Sequence, residues 1–128
     1  MTAHLPGAEH EIRARVPATA EAYRFVRDRV LRGGIVDPAL KELCFRYLAE
    51  DPGVMDIARF GAPEQVALRW AHSIAWDSDA ADDELWQQLH AHFTEPELVE
   101  LGCAIGFELG QQHWRRTIGL PWRDHSPS

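Results

Sequence analysis

Residues 98–114, LVELGCAIGFELGQQHW, form the most apolar helical pattern in the sequence. The first ten positions are almost wholly apolar around the helical wheel, which indicates a helix covered by neighbours on several sides. The helical pattern then continues without a break while four polar side chains follow within six positions, Glu108, Gln111, Gln112 and His113. The stretch therefore predicts a central packing helix with a polar group at one end.

This polar group lies at the edge of the apolar sector of the helix. Taking about 100° per residue from Leu98 at zero, Glu108 falls at about 280° and Gln112 at about 320°. Arg115 follows at about 260°, on the same side of the wheel. A carboxylate at the edge of a core has to be paired or hydrogen-bonded, because an isolated buried charge costs several kcal/mol.

Three interpretations of this polar group stay open. It forms a polar network, within one subunit or across a two-fold or three-fold interface. It lines a small cavity, with Glu108 as a general base or ligand anchor and Arg115 as an anion clamp. It is a freely solvated stripe. The cavity interpretation makes Glu108 and Gln112 the candidate catalytic residues, and it makes Gln111, Arg115 and Cys44 the candidate ligand contacts.

The rest of the sequence predicts further helices and no strand, because no segment alternates apolar and polar residues over a useful length. Thr94 and Glu97 form a T-x-x-E capping box that opens the last helix, and Gly119 and Pro121 end it. Other helices are predicted at residues 18–32, from Asp37-Pro38, in the short segment PGVMDIARF, from Pro63, and around Leu85, Trp86, Leu89 and Phe93. We expect an all-α single domain at residues 17–122, with a flexible N-terminal segment at 1–16 and a flexible tail at 123–128.

The apolar stripes of these helices predict the core. The positions expected to face it before the last helix are Tyr23, Val26, Val30, Leu40, Leu43, Cys44, Tyr47, Leu48, Val66, Ala67, Trp70, Ala71, Ile74 and Ala75.

Composition narrows the classes of function. The chain has 128 residues, 45% of them hydrophobic and 26% charged, which suits one compact domain. A net charge of -7 disfavours nucleic acid as a partner, because binding a phosphate backbone requires a basic surface. No apolar run approaches the roughly 18 residues of a membrane span, and the first residues lack a signal-peptide pattern. We expect a soluble, cytoplasmic protein.

Two cysteines, Cys44 and Cys103, are the only thiols in the sequence. Their separation fits neither a disulfide framework nor a zinc-ligand motif. We expect both to be reduced and buried, because free cysteine is among the most buried residue types.

The histidines do not predict a metal site. His90 and His92 are two positions apart on one helix, His72 lies opposite the apolar stripe of another, and all three are expected to face solvent. The sequence predicts no metal and no cofactor. Trp76 and Trp114 fall off the apolar stripes of their helices, and a subunit contact is the expected reason because each would otherwise leave a large apolar area in water.

Residues 92–121, HFTEPELVELGCAIGFELGQQHWRRTIGLP, resemble the closing signature of the carboxymuconolactone decarboxylase-like superfamily, also called AhpD-like. Its F-[ST]-x-x-E-L-V-E-L motif matches residues 93–101, and its G-[LV]-P stop matches residues 119–121. Residues 17–43 and 62–93 resemble the family's N-terminal segment and its preceding helix pair. The resemblance implies an AhpD-like helical bundle that assembles as a homo-oligomer, of the trimer or hexamer type.

The chain departs from the family at its redox motif. Redox members carry C-x-x-C and a following histidine on a helix directly after a K-E-L segment. Here Cys44 is followed three positions on by Tyr47, and no histidine occurs between His10 and His72. Peroxidase chemistry needs a resolving thiol and a base that makes the first thiol a thiolate. The resemblance therefore implies a member without that redox chemistry.

Three functions follow from these observations. The preferred one is a protein that binds a small organic molecule, or that catalyses a non-redox decarboxylation, isomerisation or dehydration with Glu108. The alternative is a non-catalytic oligomeric interaction protein. The third is a thiol peroxidase that uses Cys44 alone. The expected partners are further copies of the chain and a small-molecule ligand, without nucleic acid or membrane.

Overall fold

The structure is a computed structural model that describes residues 4–50 and 53–122. Throughout these residues the regular elements are helical and no strand occurs, so the predicted all-α class is confirmed. The α-helices are α1 (Glu9–Ala14), α2 (Pro17–Val26), α3 (Pro38–Ala49), α4 (Ala62–Trp76), α5 (Asp83–His92) and α6 (Glu95–Thr117). A π-helical turn (Arg27–Leu31) follows α2, and 3-10 turns lie at Ile57–Arg59 and Ser78–Ala80. The predicted flexible tail at 123–128 lies outside the described residues.

The helix α6 begins as the capping box predicts. The Thr94 N–H donates to Glu97 Oε1 at 2.8 Å, and the Glu97 N–H donates to Thr94 Oγ1 at 3.3 Å. The helix ends at Thr117, and Gly119 follows with a φ of 86°. The capping box and the left-handed glycine thus bound a helix of 23 residues.

The core lies between α3, α4, α5 and α6, which pack on one another. Helices α4 and α6 approach closely at Gly102, where an added Cβ would lie 2.8 Å from Trp70 Cη2. The core residues from these four helices are Cys44, Phe45, Tyr47, Leu48, Val66, Ala67, Leu68, Trp70, Ala71, Leu85, Leu89, Leu98, Leu101, Ala104 and Ile105. None of the helices in the described ranges combines the length and apolar character that crossing a bilayer requires.

The helix predicted at residues 18–32 is interrupted. Its first part is α2, and its last turn widens into the π-helical turn, where the Arg32 N–H donates to the Arg27 carbonyl at 2.9 Å. Such turns are rare and occur frequently at functional sites. Periodicity at 3.6 residues per turn does not predict them.

The buried face of this segment differs from the predicted apolar stripe. Tyr23, Arg27 and Leu31, spaced four residues apart, are all buried. Val26 and Val30, which the sequence predicted as core positions beside Tyr23, are only half-buried against the core. Arg27 lies four residues after Tyr23 and therefore on the same helix face, so this face buries a charged residue that an apolar stripe does not predict.

Within residues 1–16, which the sequence predicts as a flexible segment, Glu9–Ala14 form the helix α1 and pack on α2. Ile12 and Arg13 on this helix are buried. The sequence did not predict the helix because most of what it buries is charged, so no apolar stripe marks it. The His4 N–H also donates to the Ile118 carbonyl at 2.8 Å, which ties this segment to the end of α6.

A buried ion pair ties the start of α3 to α6. Lys41 is fully buried, and its Nζ lies 2.8 Å from Glu100 Oε2. The same Nζ donates to the carbonyls of Val30 and Gly33, each at 2.6 Å. Lys41 is thus fully enclosed by acceptors, which is what a buried ammonium requires.

The loop before α3 binds the same carboxylate through its backbone. The N–H groups of Ile35 and Val36 donate to Glu100, the latter at 2.7 Å from Oε2. Gly34 has a φ of 89°, and a Cβ there would lie 1.9 Å from Glu100 Oε1. Only glycine permits both this backbone conformation and this approach.

Candidate functional site

Helices α1, α2 and α6 bring six polar side chains together in a buried network that we call the Glu108 cluster. Its members are Glu9, Arg13, Tyr23, Glu108, Gln112 and Arg115.

Arg115 is the centre of the Glu108 cluster and is fully buried. Its Nε lies 3.1 Å from both carboxylate oxygens of Glu9, and its Nη2 donates to the Tyr23 hydroxyl at 3.0 Å. Its Nη1 donates to the Trp122 carbonyl at 2.9 Å and lies 3.5 Å from both oxygens of Glu108. Burial opposes the charged guanidinium, but the carboxylates of Glu108 and Glu9 outweigh it and raise the pKa of Arg115.

Glu108 and Gln112 occupy adjacent turns of α6, as the helical wheel predicts. Glu108 is 5% exposed and Gln112 is 1% exposed. Gln112 Nε2 donates to the Phe45 carbonyl at 2.9 Å and to Glu108 Oε2 at 3.2 Å, while Gln112 Oε1 is buried without a hydrogen bond. Burial raises the pKa of Glu108 and prevails over the opposing effects of Arg115 and Gln112.

Glu108 lies on the wall of a small hollow that we call the inner pocket. Its volume is about 50 Å³, room for one or two water molecules. An organic substrate therefore does not reach Glu108 in this conformation. The lining residues are Tyr23, Arg27, Leu31, Arg32, Glu42, Phe45, Glu108 and Trp122.

A larger hollow lies between α1, α2 and α6, and we call it the outer groove. Its volume is about 480 Å³, within the range of ligand pockets. Tyr23 lines both hollows. The lining residues of the outer groove are Ile12, Arg13, Thr19, Ala22, Tyr23, Phe107, Gln111 and Trp114.

Arg13 is held between aromatic rings at the wall of the outer groove. Its guanidinium carbon lies 3.5 Å from the centroid of the Tyr23 ring and 4.7 Å from that of Trp114. Its Nη2 donates to Gln111 Oε1 at 2.6 Å, and its Nη1 pairs with Glu9. Two aromatic rings thus lie within cation–π distance of the guanidinium, which also makes two polar contacts.

The sequence-predicted site residues therefore separate into three groups. Glu108, Gln112 and Arg115 meet in the Glu108 cluster. Gln111 faces the outer groove instead, with Arg13 as its partner. Cys44 belongs to neither hollow, because it is fully buried in the hydrophobic core.

Two members of the site, Glu9 and Arg13, were missed by the sequence analysis. They are four residues apart in EHEIRA, the spacing of a helical ion pair, and this was the available signal. Trp114 lies off the stripe of α6, and within this chain it packs on the Arg13 guanidinium.

The two thiols differ in environment. Cys44 is buried as expected, and burial raises its pKa to about 12. Cys103 is exposed, so the expectation that both thiols are buried is wrong. The reason is that α6 is covered on fewer sides than its composition indicates, with Val99 66% exposed one turn before Cys103.

We expect one fast and one protected thiol when the native protein reacts with a disulfide reagent at pH 8. At a pKa of about 12, only about one Cys44 in ten thousand is a thiolate at that pH, and the reagent has no access to it. Cys44 should react about 100-fold or more slowly than Cys103 until the chain is unfolded in guanidinium. The absorbance of the thiolate released by the reagent measures the two rates. Cys103→Ser is the control, and it should abolish the fast phase. Two fast thiols in the native wild type would contradict the buried position of Cys44.

The three histidines have different surroundings. His72 Nδ1 lies 2.8 Å from the Tyr47 hydroxyl, and Trp76, 42% exposed, packs against both rings. His72 is therefore half-buried rather than solvated, contrary to expectation. His90 and His92 are exposed. Across residues 4–50 and 53–122, no group of three or more His, Cys, Asp or Glu side chains is arranged to hold a metal ion.

The raised pKa of Glu108 predicts a pH dependence of stability. The folded protein holds this proton more tightly than the unfolded chain, so the stabilisation is complete below the ordinary pKa of 4.5 and is lost as pH rises through the folded value. We expect Glu108→Gln to be more stable, relative to wild type, at pH 8 than at pH 4. Urea denaturation at the two pH values measures the difference, with Glu84→Gln on the exposed face of α5 as the control that should change less. If the stability of Glu108→Gln relative to wild type were the same at both pH values, or higher at pH 4, the burial of this carboxylate would be contradicted.

Comparison of the chain with protein-family models, with curated proteins and with solved structures finds no match. The AhpD-like lineage therefore stays a prediction from the sequence motifs.

Proposed function

We propose that this chain binds a small organic molecule in the outer groove. The observation that carries the proposal is a hollow of about 480 Å³ in which apolar and aromatic walls meet two polar side chains, Arg13 and Gln111. Small-molecule sites combine these features, because apolar walls supply affinity and a few polar groups set the orientation.

The Glu108 cluster contacts two residues of the groove wall. Arg115 holds the Tyr23 hydroxyl, and Glu9 holds Arg13, so two residues of the groove wall are fixed by the buried network. Glu108 and Gln112 are then positioning residues for this wall. A decarboxylation, isomerisation or dehydration at Glu108 is the less favoured form of the proposal. A substrate would reach Glu108 only if the inner pocket opened beyond its water-sized volume.

The peroxidase alternative is disfavoured by the environment of Cys44. A peroxidatic cysteine attacks as an exposed thiolate, whereas Cys44 is 0% exposed and its pKa is raised to about 12.

Self-association within an AhpD-like lineage is the second candidate function. What supports it, besides the motif resemblance, is the set of outward apolar side chains, with Ile35 61% and Val99 66% exposed. Single exposed apolar residues are common, so this support is weaker than that for the groove. Sedimentation velocity should show a trimer or hexamer at micromolar concentration, and a monomer there would exclude it.

A fragment screen followed by NMR tests the groove. In amide and indole ¹H–¹⁵N spectra, a binding fragment should shift Gln111 and the Trp114 indole and leave the Trp76 indole unchanged. Ala22→Phe, which fills the groove, should weaken binding about tenfold or more. Ala91→Phe is the matched control, because Ala91 is an exposed helical alanine on α5 outside the groove. Absence of any groove-binding fragment at millimolar concentration, or equal binding by Ala22→Phe, would overturn the proposal.

A further inference from the structure

Arg13 is the one charged side chain among the eight residues described as lining the outer groove. The carboxylates of the Glu108 cluster, Glu9 and Glu108, are not among these lining residues. Arg13 is thus the charge of the network that borders the groove, although it also pairs with Glu9. An anionic group in the groove would find complementary charge there.

The polar groups that the groove offers are mainly donors. Arg13 has five N–H bonds and uses two of them, on Glu9 and Gln111. Gln111 is half-buried and accepts from Arg13 through Oε1, and among the described residues its Nε2 has no hydrogen bond. The Thr19 hydroxyl is already directed to backbone carbonyls of Arg13 and Val16. Two neighbouring donors with spare N–H bonds match the two oxygens of a carboxylate, which only accepts.

The aromatic walls select a flat ligand. The rings of Tyr23 and Phe107 are nearly parallel, with an interplanar angle of 26° and centroids 6.1 Å apart, and Trp114 adds a third aromatic surface. Flat rings stack on such surfaces with a favourable energy beyond their buried area. The Arg13 guanidinium already lies over the Tyr23 and Trp114 rings, so a cationic ligand would meet a like charge there.

We infer that the outer groove takes a planar aromatic carboxylate, with its carboxylate on Arg13 and Gln111 and its ring against Phe107 and Tyr23. This inference rests on the proposed function, since it names the chemical class of the groove's ligand.

Three probes that share one ring system and differ in charge test the inference: 2-naphthoate, 2-naphthamide and 2-naphthylmethylammonium. Their affinities are measured at pH 7 by NMR titration of the wild-type chain, following the Gln111 and Trp114 signals. We expect 2-naphthoate to bind about tenfold or more tightly than 2-naphthamide, and the ammonium to bind most weakly.

Variants assign the preference to the two groove residues. Arg13→Gln should reduce the ratio of naphthoate to naphthamide affinity about tenfold or more, to near one. Arg24→Gln, an exposed arginine on α2 outside the groove, removes the same charge and should keep the wild-type ratio. Because Arg13 is buried and its loss threatens folding, Gln111→Glu is the second variant: it gives Arg13 a new anionic partner on a half-exposed site and should also bring the ratio near one.

The outcomes separate the two proposals. If no naphthalene probe and no fragment shifts the groove signals, the proposed function fails. If the amide or the ammonium binds as tightly as 2-naphthoate, or if Gln111→Glu keeps the wild-type ratio, the carboxylate preference is overturned while ligand binding stands.

Discussion

Replacement of Arg115 by methionine is expected to lower the free energy of unfolding by about 3–5 kcal/mol. The change leaves the Glu108 carboxylate without its cation and takes one of two cations from Glu9, in a region where the Arg115 side chain is fully buried. It also removes the donors to the Tyr23 hydroxyl and the Trp122 carbonyl. Urea denaturation followed by tryptophan fluorescence at pH 7 measures the loss.

Arg116→Met is the matched control for this prediction. Arg116 is the next residue of α6, is exposed, and donates to the Ala49 carbonyl at the surface. Its replacement should change stability by less than about 1 kcal/mol. The double variant Arg115→Met with Glu108→Gln should recover part of the loss, because it removes one of the carboxylates left behind. Equal effects of Arg115→Met and Arg116→Met would show that the Glu108 cluster does not hold the fold.

Glu100→Ala is expected to have an effect of the same size, about 3–5 kcal/mol. Lys41 has 0% side-chain exposure, and Glu100 is its counterion. The substitution leaves the ammonium with backbone carbonyls alone, and it removes the acceptor for the Ile35 and Val36 N–H groups. Thermal and urea unfolding measure the loss, and Glu95→Ala, an exposed carboxylate in the first turn of the same helix, should lose less than about 1 kcal/mol.

The pH dependence gives this second prediction an independent check. Burial opposes ionisation of Glu100, but the hydrogen bonds from Lys41 and from the Val36 and Ile35 backbone prevail and lower its pKa. The stabilisation is therefore present above the ordinary value of 4.5 and is lost as pH falls through the lowered folded value. The difference between wild type and Glu100→Ala should shrink at low pH. A constant difference would show that packing, rather than the ion pair, accounts for the loss.

Both predictions concern charges that an apolar pattern does not predict as buried. The helical wheel of α6 predicted that Glu108, Gln112 and Arg115 share one side and that the carboxylate is paired, and the structure brings these three together. The wheel carried no information about which helix would supply the other partners. Glu9 and Tyr23 come from α1 and α2, about a hundred positions earlier in the chain.

The sequence predicted less of the outer groove than of the Glu108 cluster. Gln111 is a predicted ligand contact, and the sequence places it with Glu108 in the polar group at the end of α6. In the structure Gln111 lines the outer groove, whereas Glu108 lines the inner pocket. Spacing along one helix gives a direction for each side chain, whereas a cavity is defined by the elements on its opposite side.

By itself the sequence determined the helical class, the capped start of α6, and the side of α6 on which Glu108, Gln112 and Arg115 lie. The reason is that caps and 3.6-residue periodicity act within a few neighbouring residues. Only the tertiary structure decided that Glu9–Ala14 form a helix, that the helix after Pro17 widens at Arg27–Leu31, and that Cys103 faces outward. These features depend on which distant surfaces meet. On α1, Glu9 pairs with Arg115 of α6 and Arg13 donates to Gln111 of α6. These contacts stabilise α1 only once the chain has brought the two helices together.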